Sequence, residues 1–287
     1  MGLLSFSIRA VARLCNRVGL LAQDLAFFLD NLLPALLPPS TLTRSIAGHY
    51  AHTYELTPSW LVSHAYEWQL DAWEQQVADR YLPRHARVLV LGAGIGRESI
   101  PLALSGRSVI GIDIDRRALR FAREGALRLT KGADFLQADF YRLPFTDSSF
   151  DALLLFGIMY SAMPGRRARQ AWLRSSTSLL REAGCLVLCF LTEPPVRSRS
   201  RRLSDRINGW LCRLPGSNHE YQPGDTCGQS HFLHAFQDEQ ELRQEMGETG
   251  LAIVRLELGE GLRRLAEASC EHNSTSPFER PAYGSSP

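Results

Sequence analysis

The central part of the chain alternates short apolar runs with stretches of helical periodicity. Six runs are predicted as strands: Arg87–Leu91, Ser108–Ile112, Asp134–Ala138, Asp151–Phe156, Cys185–Leu191 and Leu251–Leu258. Their apolar residues are consecutive rather than alternating, which is typical of strands buried on both faces of a sheet. Helical periodicity between them, for example over 116–126 and 166–181, predicts repeated βαβ units. The pattern therefore predicts an α/β fold with a Rossmann-like, doubly wound and mostly parallel sheet.

Changes in composition divide the chain into four regions. In chain order they are an amphipathic helical extension (1–40), an aromatic-rich helical cap (41–84), the α/β core (85–270) and a polar tail predicted to be disordered (271–287). The core contains an insertion, residues 193–230, that is rich in Pro, Gly, Ser and Arg and breaks the strand–helix rhythm. Residues 259–268 look helical, so the pattern predicts a helix there and no strand after Leu258.

The helical extension carries three cations on one face, because Arg9, Arg13 and Arg17 are spaced by four residues. Three interpretations stay open: a helix docked on the core, an interfacial helix that contacts anionic lipid through residues 2–33, and an organellar presequence. Polar residues interrupt the extension, and no run reaches the ~18 apolar residues that a spanning helix needs. We therefore predict at most a peripheral contact with a membrane.

Composition excludes several classes of protein. The 287 residues are 45% hydrophobic and 22% charged, which excludes a disordered or collagen-like chain. A net charge of +2 gives no overall field that would attract nucleic acid. The six cysteines include no CxxC pair, so we predict reduced thiols, a cytoplasmic location and no metal site.

Polar and glycine residues follow the first three predicted strands. Residues 92–96 (GAGIG) form a glycine turn after the first strand, where the backbone can approach a ligand closely. Asp113 ends the second strand, 21 residues past Gly92, and a carboxylate there can accept hydrogen bonds from both hydroxyls of a ribose. Asp139 follows the third strand and could accept from an exocyclic amine, while Phe140 packs on the ring. Together these features predict a site for a nucleoside-containing cofactor.

The spacing of the glycines distinguishes between cofactors. The dinucleotide pattern G-x-G-x-x-G would need glycine where Arg97 stands, whereas Gly96 comes one residue earlier. The chain resembles the class I S-adenosylmethionine-dependent methyltransferases from about residue 85 to 258. The segments that carry the resemblance are VLVLGAGIGRESIPLA (88–103), VIGIDIDRRAL (109–119), FLQADFYRLPFTDSSFDALLLF (135–156), LLREAGCLVL (179–188) and HFLHAFQDEQELRQEMGETGLAIVRL (231–256).

The resemblance implies S-adenosyl-L-methionine as the cofactor, and it implies a role for each matching residue. Gly92, Ala93, Gly94 and Gly96 would surround the methionine part, and Asp113 would hold the ribose. Ile114, Asp139 and Phe140 would contact the adenine, and Phe156 and Gly157 would line the floor near the sulfonium. One departure stands out: many members of the family have an acid at the position of Val90. The polar contact with the amino end of the cofactor is therefore absent or supplied elsewhere.

Methyl transfer needs mainly alignment of the acceptor, the methyl group and the sulfur. A hydroxyl acceptor also needs a base, for which the candidates are Tyr160, His231 and His234. The alternative for each is a surface or capping role. Residues 156–161 (FGIMYS) contain neither Asn-Pro-Pro-Tyr nor Pro-Cys, which argues against methylation of adenine, glutamine or cytosine C5. We therefore predict a small-molecule or lipid-like acceptor and no nucleic-acid partner. A methyltransferase-like binding protein without turnover and, less favoured, a nicotinamide-dependent reductase stay open as alternatives.

Overall fold

The described residues form a central sheet flanked by helices. The computed structural model describes residues 18–19, 22–23, 25–26, 28–52, 68–193, 199–227, 231–258 and 263–270. Its strands are β1 (Arg87–Leu91), β2 (Ser108–Asp113), β3 (Ala133–Gln137), β4 (Phe150–Leu155), β5 (Leu180–Thr192), β6 (Asp225–Thr226), β7 (Leu233–Phe236), β8 (Leu251–Leu258) and β9 (Arg263–Cys270). Its helices are α1 (Leu33–Leu36), α2 (Pro39–His52), α3 (Ala72–Tyr81), α4 (Ser99–Leu104), α5 (Arg116–Leu129), α6 (Arg166–Thr177), α7 (Arg199–Leu211) and α8 (Glu239–Gly247).

The sheet has the predicted parallel centre. Its order is β3-β2-β1-β4-β5, and all four of these neighbouring pairs are parallel. Because the chain winds outward in one direction from β1 and in the other from β4, the carboxyl ends of these two strands flank a crevice. The short strands β6 and β7 form an antiparallel pair, and β7 extends the far end of β5 at Leu191 and Thr192. The prediction of a doubly wound α/β fold is confirmed.

The carboxyl-terminal edge of the sheet differs from the prediction. Residues 263–270 form strand β9, which lies antiparallel to both β5 and β8. The predicted helix over 259–268 is therefore wrong from Arg263 onward, and residues 259–262 lie outside the described part. The sequence GLRRLAEA has good local helix formers, but β5 would otherwise present an unpaired edge over Cys185–Leu191. Pairing with that edge overrides the local preference.

Successive residues of the central strands point into two different apolar layers. Val88 and Val90 of β1 pack in the layer that contains α3, α4 and α5. Leu89 and Leu91 pack on the opposite face, with Trp172 of α6 and residues of α8. All four strand residues are at most 2% exposed, and burying one such side chain contributes about 1.5–3 kcal/mol. Both faces of β1 are thus fixed, which holds its carboxyl end in place.

The described part of the helical extension docks on the insertion. Asn31 is buried, and its side-chain oxygen accepts hydrogen bonds from Arg201 at 2.9 Å and Thr226 at 2.7 Å. Its backbone carbonyl accepts from Asn208 of α7 at 2.7 Å. The insertion, predicted as irregular, thus contains a 13-residue helix. Residues 1–17, with Arg9, Arg13 and Arg17, and the predicted disordered tail lie outside the described residues.

The predicted cap consists of two helices in the described residues. Helix α2 packs through Leu42 and Ile46 against Phe232, just before β7. Helix α3 begins after Asp71, where the backbone N–H of Asp71 donates to the Glu74 carboxylate at 2.8 Å in a capping box. No helix in the described residues is long and apolar enough to cross a membrane. The cap lies over the carboxyl ends of the strands, and its contacts there are described below.

Candidate active site

A cavity of about 480 Å³ opens where the carboxyl ends of β1 and β4 meet. This volume lies within the range of small-molecule sites. Three parts of the chain line it: the cap, the end of β1 with its glycine turn, and the loop after β4. The lining residues are Tyr50, Asp71, Glu74, Val90, Leu91, Gly92, Arg97, Glu98, Phe156, Gly157, Ile158 and Met159. Gly92, Phe156 and Gly157, all predicted to contact the cofactor, are therefore brought together.

The glycine turn has a backbone that other residues would strain. Gly92, Gly94 and Gly96 have φ values of +71°, +52° and +86°, in the left-handed region. A Cβ on Gly96 would also lie 3.1 Å from both Ala122 and Phe135, because the turn packs closely on α5 and β3. The backbone N–H of Ala93 donates to the carbonyl of Ile112 at 2.8 Å and ties the turn to β2. The turn is thus rigid on its inner side and open to the cavity at Gly92.

The cap also supports the turn from outside. The indole N–H of Trp68 donates to the backbone carbonyl of Ile95 at 3.2 Å. Its six-membered ring lies so close to Gly125 of α5 that a Cβ there would come within about 2.0 Å of it. Trp68 thus contacts both the glycine turn and the helix behind it.

Asp113 bridges the glycine turn and the end of β2. Its Oδ2 accepts from the backbone N–H of Gly94, and its Oδ1 from that of Asp115, both at 2.8 Å. Burial raises the pKa of this half-buried carboxyl, and the two backbone hydrogen bonds partly offset that effect. A carboxylate oxygen has a second lone pair, so both atoms can still accept from a ligand. The predicted ribose acceptor therefore lies directly beside the turn that lines the cavity.

The predicted adenine contacts lie at the ends of β2 and β3, outside the cavity lining. Ile114 is half-buried, and its carbonyl accepts from Gln137 at 3.1 Å. Asp139 is exposed and accepts from the backbone N–H of Tyr141 at 2.9 Å, which leaves its other oxygen for a ligand. Phe140 stacks on Tyr141 with ring centroids 4.6 Å apart. These residues fit a nucleoside by chemistry and position, and their contacts with one stay predictions.

Two of the three predicted catalytic residues are buried in a polar network away from the cavity. Tyr160 is inaccessible to solvent, and its hydroxyl donates to Glu245 Oε1 at 2.6 Å. The guanidinium of Arg169 donates to both oxygens of Glu245 at 2.8 Å, so this carboxylate is fully used. Burial and then the Glu245 charge raise the pKa of Tyr160 well above its ordinary value. Tyr160 thus ties the β4 loop to α6 and α8.

His234 belongs to the same buried region. Its Nδ1 lies 2.8 Å from Asp225 Oδ1, and its Nε2 lies 3.6 Å from Glu241. Burial and Arg169 lower the pKa of His234, but the hydrogen bond to Asp225 and the nearby Glu241 carboxylate outweigh them and raise it. His234 is 0% exposed and does not line the cavity. Its arrangement is that of a structural pair, and a catalytic role for it stays a prediction without support from its position.

His231 reaches the cavity through a residue that sequence reasoning did not select. The Tyr50 hydroxyl lies 3.4 Å from His231 Nε2, and the ring of His49 stacks on His231 at 4.8 Å. Tyr50 lines the cavity together with the loop after β4, and burial raises the pKa of its phenol. The aromatic density of the cap was the signal for Tyr50. It did not show which of the aromatic residues faces the cavity.

An ionic group on the cavity wall was also missed. Arg97 donates to Glu74 Oε2 at 2.9 Å and to Glu98 Oε1 at 2.5 Å, and Asp71 Oδ2 lies 3.9 Å from it. The D-x-x-E pattern at Asp71–Glu74 is a recognisable capping box. Nothing in the sequence, however, shows that α3 would bring Glu74 against Arg97, 23 residues later.

Comparison with protein-family models finds one match in the centre of the chain. Residues 88–184 match a methyltransferase domain. Two curated relatives are demethylmenaquinone methyltransferases: one from Clavibacter sepedonicus is 36% identical over 38% of this chain and 43% of its own length. The other, from Tropheryma whipplei (strain Twist), is 34% identical over 37% of this chain and 42% of its own length. The matched region thus spans less than half the length of these relatives.

Solved structures share the fold. A SAM-dependent methyltransferase from Methanosarcina mazei superposes with a TM-score of 0.53 at 23% identity, over 67% of this chain and 95% of that one. The 1,6-didemethyltoxoflavin-N1-methyltransferase of Burkholderia thailandensis gives a TM-score of 0.56 at 16% identity, over 81% and 90%. At such identities the likeness extends to the fold alone.

Proposed function

We propose that this chain, whose residues 88–184 form a class I S-adenosylmethionine-dependent methyltransferase domain, transfers a methyl group to a small or amphiphilic acceptor. The observation that carries the proposal is the cavity at the ends of β1 and β4. One wall of it is the positive-φ glycine turn, and Asp113 is hydrogen-bonded to that turn. This arrangement fits the cofactor by shape at Gly92 and by hydrogen-bond acceptors at Asp113. Bound there, the cofactor supplies an electrophilic methyl group on a sulfonium.

The contribution of the protein is mainly alignment. The glycine turn and Asp113 would hold the nucleoside and methionine parts, so that the reacting end points toward Phe156 and Gly157. Phe156 is fixed there, because it is buried and contacts the Trp73 ring edge-on at 5.4 Å. Holding two reactants in line can lower a barrier by roughly 7–11 kcal/mol. The walls opposite the turn then decide which acceptor fits.

An apolar acceptor is favoured by the wall formed after β4. Phe156, Ile158 and Met159 present apolar surface to the cavity, next to the Tyr50 phenol. Two curated relatives are named for a demethylmenaquinone, which supports an acceptor of the quinone-precursor type.

His231 is the candidate base that the geometry supports best. With the hydrogen of its neutral imidazole on Nδ1, its Nε2 can accept the Tyr50 proton across the 3.4 Å contact. Tyr50 would meanwhile take a proton from the acceptor, so the phenol relays a proton without becoming a stable phenolate. This route agrees with the raised pKa of Tyr50. Positioned proton transfer contributes typically about 10²- to 10⁴-fold in rate.

A peripheral contact with an anionic membrane is part of the proposal, on the cytoplasmic side. The described part of the extension exposes the apolar side chains of Val18, Leu25, Leu29, Leu33 and Leu36. Helix α7, which packs against α1, exposes Leu203 and Trp210 together with Arg202 and Arg206. Apolar and cationic side chains on one surface favour binding to anionic lipid. Cosedimentation with phosphatidylglycerol but not phosphatidylcholine vesicles would support this contact, and equal binding to both would contradict it.

The first experiment is calorimetric titration of the full chain with S-adenosylhomocysteine. We expect micromolar binding, a loss of about 100-fold or more in Asp113→Ala, and no binding of NADH, since two acceptor atoms for the ribose are removed. Glu124→Gln, an exposed change on α5, is the control. A folded wild-type chain that binds no S-adenosylhomocysteine would contradict the proposed function. Binding of NADH would instead favour a reductase, and cofactor binding without turnover of apolar phenols and quinols would favour a binding protein.

A further inference from the structure

The wall of the cavity beside the glycine turn has an excess of negative charge. Three carboxylates, those of Asp71, Glu74 and Glu98, line it together with a single guanidinium, that of Arg97. They come from the start of α3 and from the residues that follow the turn. With ordinary ionisation this group carries a formal charge of −2, next to Gly92, where the backbone is open to a ligand.

Arg97 is already used within this group. Both terminal nitrogens of its guanidinium contact Glu74, and one of them also contacts Glu98 Oε1. The Glu74 carboxylate is 1% exposed and also accepts from the backbone N–H of Asp71, so little of it is accessible to a ligand. Arg97 contacts Glu98 through Oε1 and not Oε2, and the side chain of Asp71 is 61% exposed. The acidic atoms of this wall that Arg97 does not hold within hydrogen-bond distance are thus Glu98 Oε2 and the carboxylate of Asp71.

The strand that leads into the turn offers no such acceptor. Val90 lines the cavity from β1 with an apolar side chain that is 1% exposed. This is the position at which many members of the resembling family have an acid. Backbone carbonyls of the turn carry only partial charge, and a buried ammonium group needs a full counter-charge. The charge must therefore come from another element, and the acidic wall faces the same cavity.

We propose that Glu98, oriented by Arg97 and assisted by Asp71, binds the ammonium group of the methionine part of the cofactor. The proposal rests on the proposed function. It adds the residue whose carboxylate would take the place of the acid that many members of the resembling family have at the position of Val90. Arg97 fixes one oxygen of Glu98 on the cavity wall, and the other oxygen would accept from the ligand. Burial raises the pKa of Glu98 and Arg97 lowers it, so Glu98 is an acid whose charge a bound cation would stabilise.

A pair of ligands tests the contact without any methyl acceptor. S-adenosylhomocysteine carries the amino-acid part, whereas 5′-methylthioadenosine has the same nucleoside and a thioether but no ammonium group. We expect Glu98→Gln to weaken binding of S-adenosylhomocysteine about 10- to 100-fold, the range for one charge-assisted hydrogen bond. Its affinity for 5′-methylthioadenosine should stay within about twofold of the wild-type value. Asp71→Asn, which keeps a good helix cap, should give a smaller loss with the same ligand selectivity.

Calorimetry on the full chain with both ligands, and thermal unfolding of each variant, separates the outcomes. Glu124→Gln is the matched control, because it removes one exposed acid on α5. Equal weakening of both ligands by Glu98→Gln, or no weakening of either, would overturn the inference. If Glu98→Gln does not fold, the ligand selectivity of Asp71→Asn decides. Loss of both ligands from the folded wild-type chain would contradict the proposed function itself, which is a different result from selective failure of the Glu98 contact.

Discussion

Two groups of charged side chains lie near the carboxyl ends of the strands, and they differ in what surrounds them. In the first, Glu245 is inaccessible and its oxygens accept from Arg169 and Tyr160. In the second, Arg97 joins Glu74 and Glu98 on the wall of a cavity, with acid in excess. Charge and hydrogen bonds balance inside the first group, so it needs no ligand. The second group keeps an excess of negative charge, which the proposed ammonium contact would reduce.

Glu245→Gln would break the balanced group and should have the largest effect. The change removes the carboxylate that pairs with the Arg169 guanidinium, which is 0% exposed. Removing one partner of a buried ion pair costs about 3–5 kcal/mol of the free energy of unfolding. Urea denaturation measures this cost, with Glu239→Gln, an exposed acid on the same helix, as the control. A loss below about 1 kcal/mol would mean that the network contributes little to stability.

Tyr50→Phe tests whether the hydroxyl of Tyr50, which lines the cavity, acts in turnover. The change keeps the ring that packs near His231 and removes the hydroxyl. We expect kcat on the first acceptor identified to fall about 100-fold, because positioned proton transfer is lost. The affinity for S-adenosylhomocysteine should stay within about twofold by calorimetry.

The pH dependence of turnover in the wild type and in His231→Gln separates a role of this pair in catalysis from a role in packing. Only the neutral imidazole of His231 can accept a proton, so wild-type kcat/KM should fall on the acid side, and His231→Gln should lose that limb. Among the described residues, the charged or titratable side chains near His231 include His49, Tyr50, Asp30 and Cys227. Unchanged kcat in Tyr50→Phe would remove this relay from the proposal.

The pH dependence of ligand binding gives the smallest effect and the sharpest comparison. Burial raises the pKa of both Glu98 and Asp113, so each becomes neutral on acidification at a higher pH than an ordinary carboxyl. A neutral Glu98 attracts an ammonium group less, so the affinity for S-adenosylhomocysteine should fall as pH decreases. The ratio of the affinity for S-adenosylhomocysteine to the affinity for 5′-methylthioadenosine removes the part due to Asp113, because both ligands carry the ribose. This ratio should fall about tenfold in calorimetric titrations as acidification neutralises Glu98. A ratio independent of pH would argue against a charged contact at Glu98, which faces Arg97, Glu74 and Asp71.

The sequence predicts those parts of the molecule that local rules govern. Continuous apolar runs located β1 to β5, and the spacing from Gly92 to Asp113 located an acid beside the glycine turn. Helix α7 was missed because Pro and Gly surround it. Strand β9 was missed because its pairing with β5 comes from residues more than 70 positions earlier. In both cases a tertiary contact outweighs the local signal.

The site residues also divide into those that the local sequence locates and those that tertiary contacts decide. Tyr160 comes five residues after β4 in the sequence, which placed it near the predicted pocket, but the chain turns it inward to Glu245. Residue type and chain position do not report burial. Glu74 and Glu98 meet through Arg97 from two separate elements, so no spacing rule could pair them. Their meeting depends on how α3 docks over the end of β1.

The contact of Trp68 with the glycine turn gives the protein an internal optical reporter. Its indole N–H donates to Ile95 within the turn, and its ring rests on Gly125. Indole emission depends on the hydrogen bonding and polarity around the ring. A ligand that displaces the turn would change the surroundings of this ring, so we expect that occupancy of the cofactor site can be followed by fluorescence without a label. Trp68→Phe, read beside the wild type, identifies the share of the signal that belongs to this residue.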